Sequence, residues 1–388
     1  MSTAIDELCE YTLNAAEDWA EVQLGDVLTF QRGFDLPHRS RRPGEIPIVT
    51  SSGIEDFHDR PSTRGPGVVT GRYGTIGEVF FVDEDYWPLN TTLYVRDFKG
   101  NFPKFIYHFL RAFDFKTHSG KSGVPGVNRN DLHQVAILFP MRADEQEKIA
   151  AALSDADALI KGLEDIIAKK RAIKQGAMQK LLSGRLRLPG FSEEWEVKRL
   201  GEVASFHKGK GLPKGALSPF GRRACIHYGE LFTKYSAAIS TTLSFTDSEF
   251  DHFCSTSNDV VMPTSDVTPR GLAKASCVLQ NDVIIGSDIL VIRLFEGRGD
   301  GTFLSNVIRF DENQVLQLVT GTTVFHLYAS DMKNFEFKLP SLAEQKAIVS
   351  VLHDMEAEAV ELERRLVKAR QIKQGMMQEL LTGRARLV

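Results

Sequence analysis

Residues 145–188 read EQEKIAAALSDADALIKGLEDIIAKKRAIKQGAMQKLLSGRLRL, and residues 344–387 read EQKAIVSVLHDMEAEAVELERRLVKARQIKQGMMQELLTGRARL. About half the positions are identical and no gap is needed to align them. An internal repeat of this kind dictates architecture before any local propensity does. Ile149, Leu153, Ala156, Ile160, Leu163 and Ile167 alternate spacings of four and three, as do Ile348, Leu352, Met355, Ala359, Leu362 and Leu366. That is a coiled-coil seam, a single apolar stripe along a helix. Pro140 and Pro340 precede the two segments, and Gly184 and Gly383 stand where a helix would stop. About 39 residues at 1.5 Å each make a rod of ~58 Å. A stripe so narrow needs a partner, so the two copies are expected to pack on each other, antiparallel, with a globular block at each end.

The repeat extends outward from the rods. WAEVQLGDVLTFQRG (19–33) matches WEVKRLGEVASFHKG (195–209), and DLHQVAILFP (131–140) matches DMKNFEFKLP (331–340). Between these landmarks the two halves diverge. Both intervening blocks are rich in Val, Ile, Phe and Thr with frequent Gly and Pro, which predicts strands, and PKFIYHFLRAF (103–113) predicts a helix opened by proline. The expected fold class is α+β: two mixed α/β blocks joined by two long antiparallel helices, with a pseudo-twofold internal repeat. The expected segments are an N-terminal stretch (1–18), a first block (19–143), a first spacer helix (144–188), a second block (189–342) and a second spacer helix (343–388). The second rod ends where the first leads into the next block, so the chain reads as a two-unit ring cut at one joint, with its termini close together.

The 388 residues are 42% hydrophobic, 25% charged and 9% aromatic, a globular balance that excludes a collagen, a disulfide-knotted miniprotein or a disordered tail. No apolar run is long enough for a membrane span and the first residues carry acids, so a cytoplasmic protein without a membrane partner is expected. The four cysteines form no CxxC pair, which points to reduced structural thiols rather than a zinc ribbon. Glycines 71, 74 and 77 of GRYGTIG precede a strand-like run instead of a helix and read as a hairpin turn, not a nucleotide loop. No phosphate loop, methyltransferase signature, GxSxG or HExxH is present, the ten histidines form no ligand set, and Asp266 lacks the second acid and lysine of a nuclease site. Neither a catalytic nor a metal site is expected.

A net charge of −4 speaks against nucleic acid only on average, because a local basic face is enough to meet phosphate. Just after the Trp…Gly landmark the first block carries Arg32, Arg39, Arg41 and Arg42, with Arg64, Arg72 and Tyr73 further on. At the same place the second carries His207, Lys208, Lys210 and Lys214, then Arg222, Arg223 and Arg270. Such groups on Gly/Pro loops suit phosphate contact and base-edge readout, and all fourteen are candidate DNA-binding residues. In both rods IKQGxMQxLL places a glycine inside the helix at a cost of about 1 kcal/mol. Close approach of another backbone, the sister helix or a docked subunit, would offset that cost. Gly176, Met178, Leu181 and Leu182, with Gly375, Met377, Leu380 and Leu381, are the candidate docking residues; capping of the rod's own core is the other reading.

These landmarks resemble the specificity (S) subunits of type I restriction–modification systems. The resemblance rests on the opening W-x4-LG-[DE]-V-x2-F-x2-G in both halves, the EQ entry to each rod, the twice-used ending IKQGxMQxLLxGRxRL and the duplication itself, and it covers essentially the whole chain. It implies two target recognition domains reading the halves of a split site in double-stranded DNA, separated by the helical spacer. It further implies two methyltransferase (M) subunits docked on the spacer and restriction (R) motor subunits held through them. No cofactor belongs to this chain on that reading; S-adenosylmethionine, ATP and Mg would be used by the partners. A stand-alone DNA-binding or architectural protein, or a nuclease of unrecognised type, are the competing readings.

Overall fold

The computed structural model describes residues 18–119 and 126–387, so Cys9 and all of the N-terminal stretch but Asp18 lie outside the described residues. Two helices of 40 and 39 residues, Ala143–Leu182 and Leu342–Leu380, run through the repeat segments. At 1.5 Å per residue each is about 60 Å long. Acids open both, Asp144 and Glu145 in the first and Glu344 in the second, where they complement the N-terminal dipole. Both end in a glycine at positive φ, Gly184 (+73°) and Gly383 (+72°), a conformation that glycine adopts without steric cost.

The compact units are drawn differently from the sequence segments. Unit 1 joins the described residues up to Asp165 to those from Glu363 onward, and unit 2 is Ile166–Leu362, so each unit takes in part of both long helices. The reason lies in the cores. Ile149, Leu153, Leu380 and Leu381 are buried in the first core among Leu24, Phe105 and Phe139. Leu181, Leu182, Ile348 and Leu352 occupy the second, among Leu200, Phe303 and Phe335. Within each unit the helices are antiparallel. Asp157 pairs with Lys373 and Glu164 with Arg370 in unit 1, while Lys170 pairs with Glu358 and Lys174 with Glu356 in unit 2. The twelve seam positions are all buried or half-buried, but the first two of each helix serve the block's core.

In unit 1 an antiparallel sheet runs Thr29–Arg32, Thr92–Asp97, Gly67–Gly71, Val79–Val82, beside a three-stranded sheet of Gly53–His58, Ile46–Thr50 and Trp87–Pro88. Helix Pro103–Ala112 buries Phe105, Ile106, Phe109 and Leu110, and GRYGTIG is the expected hairpin turn. Unit 2 has a five-stranded sheet led by Ala204–Lys208 and Ile289–Leu294, and a four-stranded one around Arg223–Ile226. In both units the two outer landmarks pair as antiparallel strands, Trp19–Gln23 with Ala136–Pro140 and Glu196–Arg199 with Glu336–Leu339. Cys225 and Cys277 are buried, and desolvation pushes their thiols up to about 11 and about 12.

Each block is locked to the helices by one duplicated device. Glu145 is fully buried; Arg386 donates to it through Nε (2.6 Å) and Nη2 (2.8 Å), and the Trp19 indole N–H adds 3.3 Å contacts. In unit 2 Arg187 donates to buried Glu344 at 2.6 and 2.7 Å and Trp195 at 3.0 Å. The following glutamines, Gln146 and Gln345, donate to Pro140 O and Pro340 O and accept from Phe102 N and Asp300 N at the start of the block helices. Arg386 also reaches Asp18 (3.2 Å), so the second rod's end meets the first block's start as the ring reading expects.

Candidate nucleic-acid interface

The predicted residues fall into several settings. Arg39 and Lys214, on the helical turns His38–Ser40 and Lys214–Ala216, and Arg64 on a loop are exposed with no acidic partner among the described residues. Arg32, Arg42, Lys208, Lys210 and Arg222 are at least half exposed and each faces an acid: Asp35, Asp59, Asp288, Asp251 and Asp247 respectively. Arg223 is exposed and donates to Cys254 Sγ at 3.6 Å. His207 is half-buried, stacked on Phe253. Asp247 and Asp251 come from a loop 25 and 41 residues downstream of Arg222 and Lys210, so no local pattern in the sequence shows these pairs. Asp247 and Asp251 are held below the ordinary carboxylate range by hydrogen bonds from Arg222 and Lys210.

One candidate is corrected. The Arg41 side chain is only 13% exposed, 2.8 Å from Asp56, and its Nε points to Leu36 O. It ties the loop to strand Gly53–His58 and is spent inside the block. Its guanidinium holds the Asp56 carboxyl below its usual range. Arg270 is exposed on the helical turn Pro269–Ala273 beside Glu312 (3.2 Å), so it stays with the other exposed candidates that face an acid. Arg42→Ala is therefore expected to reduce the slope of log affinity against log salt by about one, while Arg41→Ala leaves the slope unchanged. Titrating DNA binding between low and physiological salt checks both.

One set of loops converges in unit 1. A Cβ on Gly33 would lie 2.1 Å from Leu89 O, so only glycine lets the chain after Arg32 cross the Leu89–Thr91 loop. There Arg32, Asp35 and Asn90 meet: Asn90 Nδ2 donates to Asp35, and Arg32 lies 3.6 Å from Asp35. Arg72 N and Tyr73 N both donate to Thr91 O (2.8 and 3.2 Å), which brings the hairpin to the same place, with the Arg72 guanidinium 4.7 Å over the Tyr73 ring.

The repeated rod ends divide between core and surface. Leu181, Leu182, Leu380 and Leu381 are buried in their own units' cores, and Met178 and Met377 pack partly against the same cores. A Cβ on Gly176 or Gly375 would meet nothing within 4 Å, so no close approach of the sister helix explains these glycines. Beside Met377 and Leu381 an apolar groove of about 640 Å³ opens against Phe109, Phe113 and Leu138. Leu182 lines a groove of about 380 Å³ at the matching place in unit 2.

Comparison with known proteins agrees with this architecture. The family described as the type I restriction modification DNA specificity domain matches residues 16–169 and 192–369. The MjaVIII type I restriction enzyme specificity subunit of Methanocaldococcus jannaschii is 21% identical, over 97% of this chain and 95% of its own. The putative MjaX specificity subunit of the same organism is 24% identical over 74% and 68%. The crystal structure of a type I specificity subunit from M. genitalium superposes with a TM-score of 0.64 over 93% of this chain and 96% of that one, at 14% identity. Since the family covers both halves of the repeat, the chain belongs to the type I restriction–modification DNA specificity family and is a subunit that confers DNA recognition.

Proposed function

We propose that this chain reads a split DNA site, one half through each block, and serves as the scaffold on which methyltransferase and restriction subunits assemble while carrying out no chemistry itself. The observation that carries this reading is the combination of a repeated frame with diverged contents. The same Trp–Glu–Arg lock and the same strand pair hold both blocks to the helices, while the loops they present differ almost completely. A constant frame suits a constant partner used twice; different loops suit different half-sites. Two methyltransferase subunits then dock on the spacer, where they bring S-adenosylmethionine, and the restriction subunits held through them bring ATP and Mg. The complex works in the cytoplasm; no helix among the described residues is long and apolar enough to cross a membrane. Arg39, Arg42, Arg64 and Lys214 are assigned to phosphate, and Arg32, Arg72, Tyr73, Lys208, Lys210, Arg222 and Arg223 to the surface facing the duplex.

Docking is tested at the open glycines. Gly176→Leu with Gly375→Leu adds side chains into empty space and replaces a poor helix former, so the free chain should gain about 1 kcal/mol per site. Assembly with the methyltransferase should fail. A doubly substituted chain that still assembles with two methyltransferase subunits at unchanged affinity would remove the rod end from the docking surface.

A further inference from the structure

The two blocks carry the same backbone crossing at equivalent points. In unit 2 a Cβ on Gly209 would lie 1.9 Å from Gly286 O, just as one on Gly33 would lie 2.1 Å from Leu89 O. Gly33 N donates to Thr92 O and Gly209 N to Ile289 O, each at the start of the strand that pairs with the block's leading strand. The frame is thus shared to within one hydrogen bond. The side chains it presents are not: Arg32 and Asn90 in the first block stand where Lys208 and Ser287 stand in the second. Ser287 Oγ is turned inward to Gly211 O (3.0 Å), whereas the Asn90 amide is held from one side by Asp35.

That hold has a chemical consequence. Asp35 is an exposed carboxylate facing Arg32, so it accepts only, and the atom of the Asn90 amide bonded to it must be nitrogen. The amide orientation is therefore fixed, and Oδ1 with the second N–H remains for an outside partner. An acceptor beside a donor on a rigid amide complements the N6 donor and N7 acceptor of adenine in the major groove. Arg32 beside it keeps free N–H groups for a guanine edge or a phosphate.

Resting on the split-site reading above, we infer that Asn90, oriented by Asp35, reads an adenine in the half-site recognised by the first block, and that the crossing at Gly33 and Gly209 is where the two blocks set their different specificities. Asn90 touches the base; Asp35 is a positioning residue.

The test uses the full-length chain assembled with its methyltransferase subunits and a pool of duplexes randomised across both half-sites, with bound DNA sequenced. Wild type should enrich a split motif. Asn90→Ala should lose preference for A·T at one position of one half by about ten- to a hundred-fold, with the other half unchanged. Asp35→Ala should weaken the same position partially, and Asp35→Asn, which still offers an acceptor to the amide, should restore it. Should Asn90→Ala bind nothing, Asn90→Ser, which installs the residue of the second block, is held to the same outcome. An unchanged motif, or an affinity loss equal at every sequence, overturns the inference. Absence of any split motif with wild type overturns the proposed function instead, so the two failures are separable.

Discussion

Replacing Arg386 by alanine is expected to destabilise unit 1 by about 3–5 kcal/mol, and Arg187→Ala to do the same to unit 2. In each case the substitution leaves a glutamate that is 0% or 1% exposed, whose remaining side-chain hydrogen bond among the described residues comes from an indole N–H. Removing one partner of a buried pair costs far more than the pair contributes, because the remaining charge stays in a low-dielectric site. Arginine is needed for geometry as well as charge, since both oxygens are satisfied at once by Nε and Nη2. Calorimetry of the full chain should show one transition moved and the other in place. Arg386→Met combined with Glu145→Gln should recover most of the loss, because no bare charge remains. A shift below about 1 kcal/mol in the single variants would mean that the lock is not what holds block to helix.

Lengthening both helices by one heptad where the units divide, after Asp165 and after Leu362, is expected to abolish use of the natural site and create a new one. Seven residues preserve the seam and add ~10 Å. At 3.4 Å per base pair that is about three base pairs of gap. On the natural site one block would then miss its half entirely; at 1–3 kcal/mol per lost position the affinity should fall by roughly a hundred-fold or more. Methylation mapping should find the same two halves farther apart. An unaltered gap would show that the helices do not act as a ruler.

The long helices, the repeat and the joints were legible because they repeat: a coiled-coil stripe has a period, and residues kept in two copies of one chain mark a shared task. Glu145 and Glu344 could have been found that way, as identical acids beside identical glutamines in two copies of one segment. What the period cannot reveal is which neighbour an apolar side chain meets. Leu181 and Leu380 look alike whether they face a partner or their own core, and the core claims them. Of the two partners that Gly176 and Gly375 suggested, the open space around them argues against the sister helix and leaves a docked subunit to be tested. The candidate DNA-facing surface was the least legible part. Short strands bring residues together across gaps of 55 positions, as with Asp35 and Asn90, and no local pattern records such a meeting. Basic composition could not tell Arg41, held inside the block by Asp56, from Arg42 next to it, which stays on the surface.

The central claim is that two different blocks on one repeated frame each read half of a split site. Single-molecule methylation mapping of cells that contain the chain with its methyltransferase tests it most directly. The account predicts one methylated motif made of two specified halves separated by an unspecified gap, with substitutions in the first block altering one half alone. A continuous motif, or substitutions in one block that alter both halves, would contradict it.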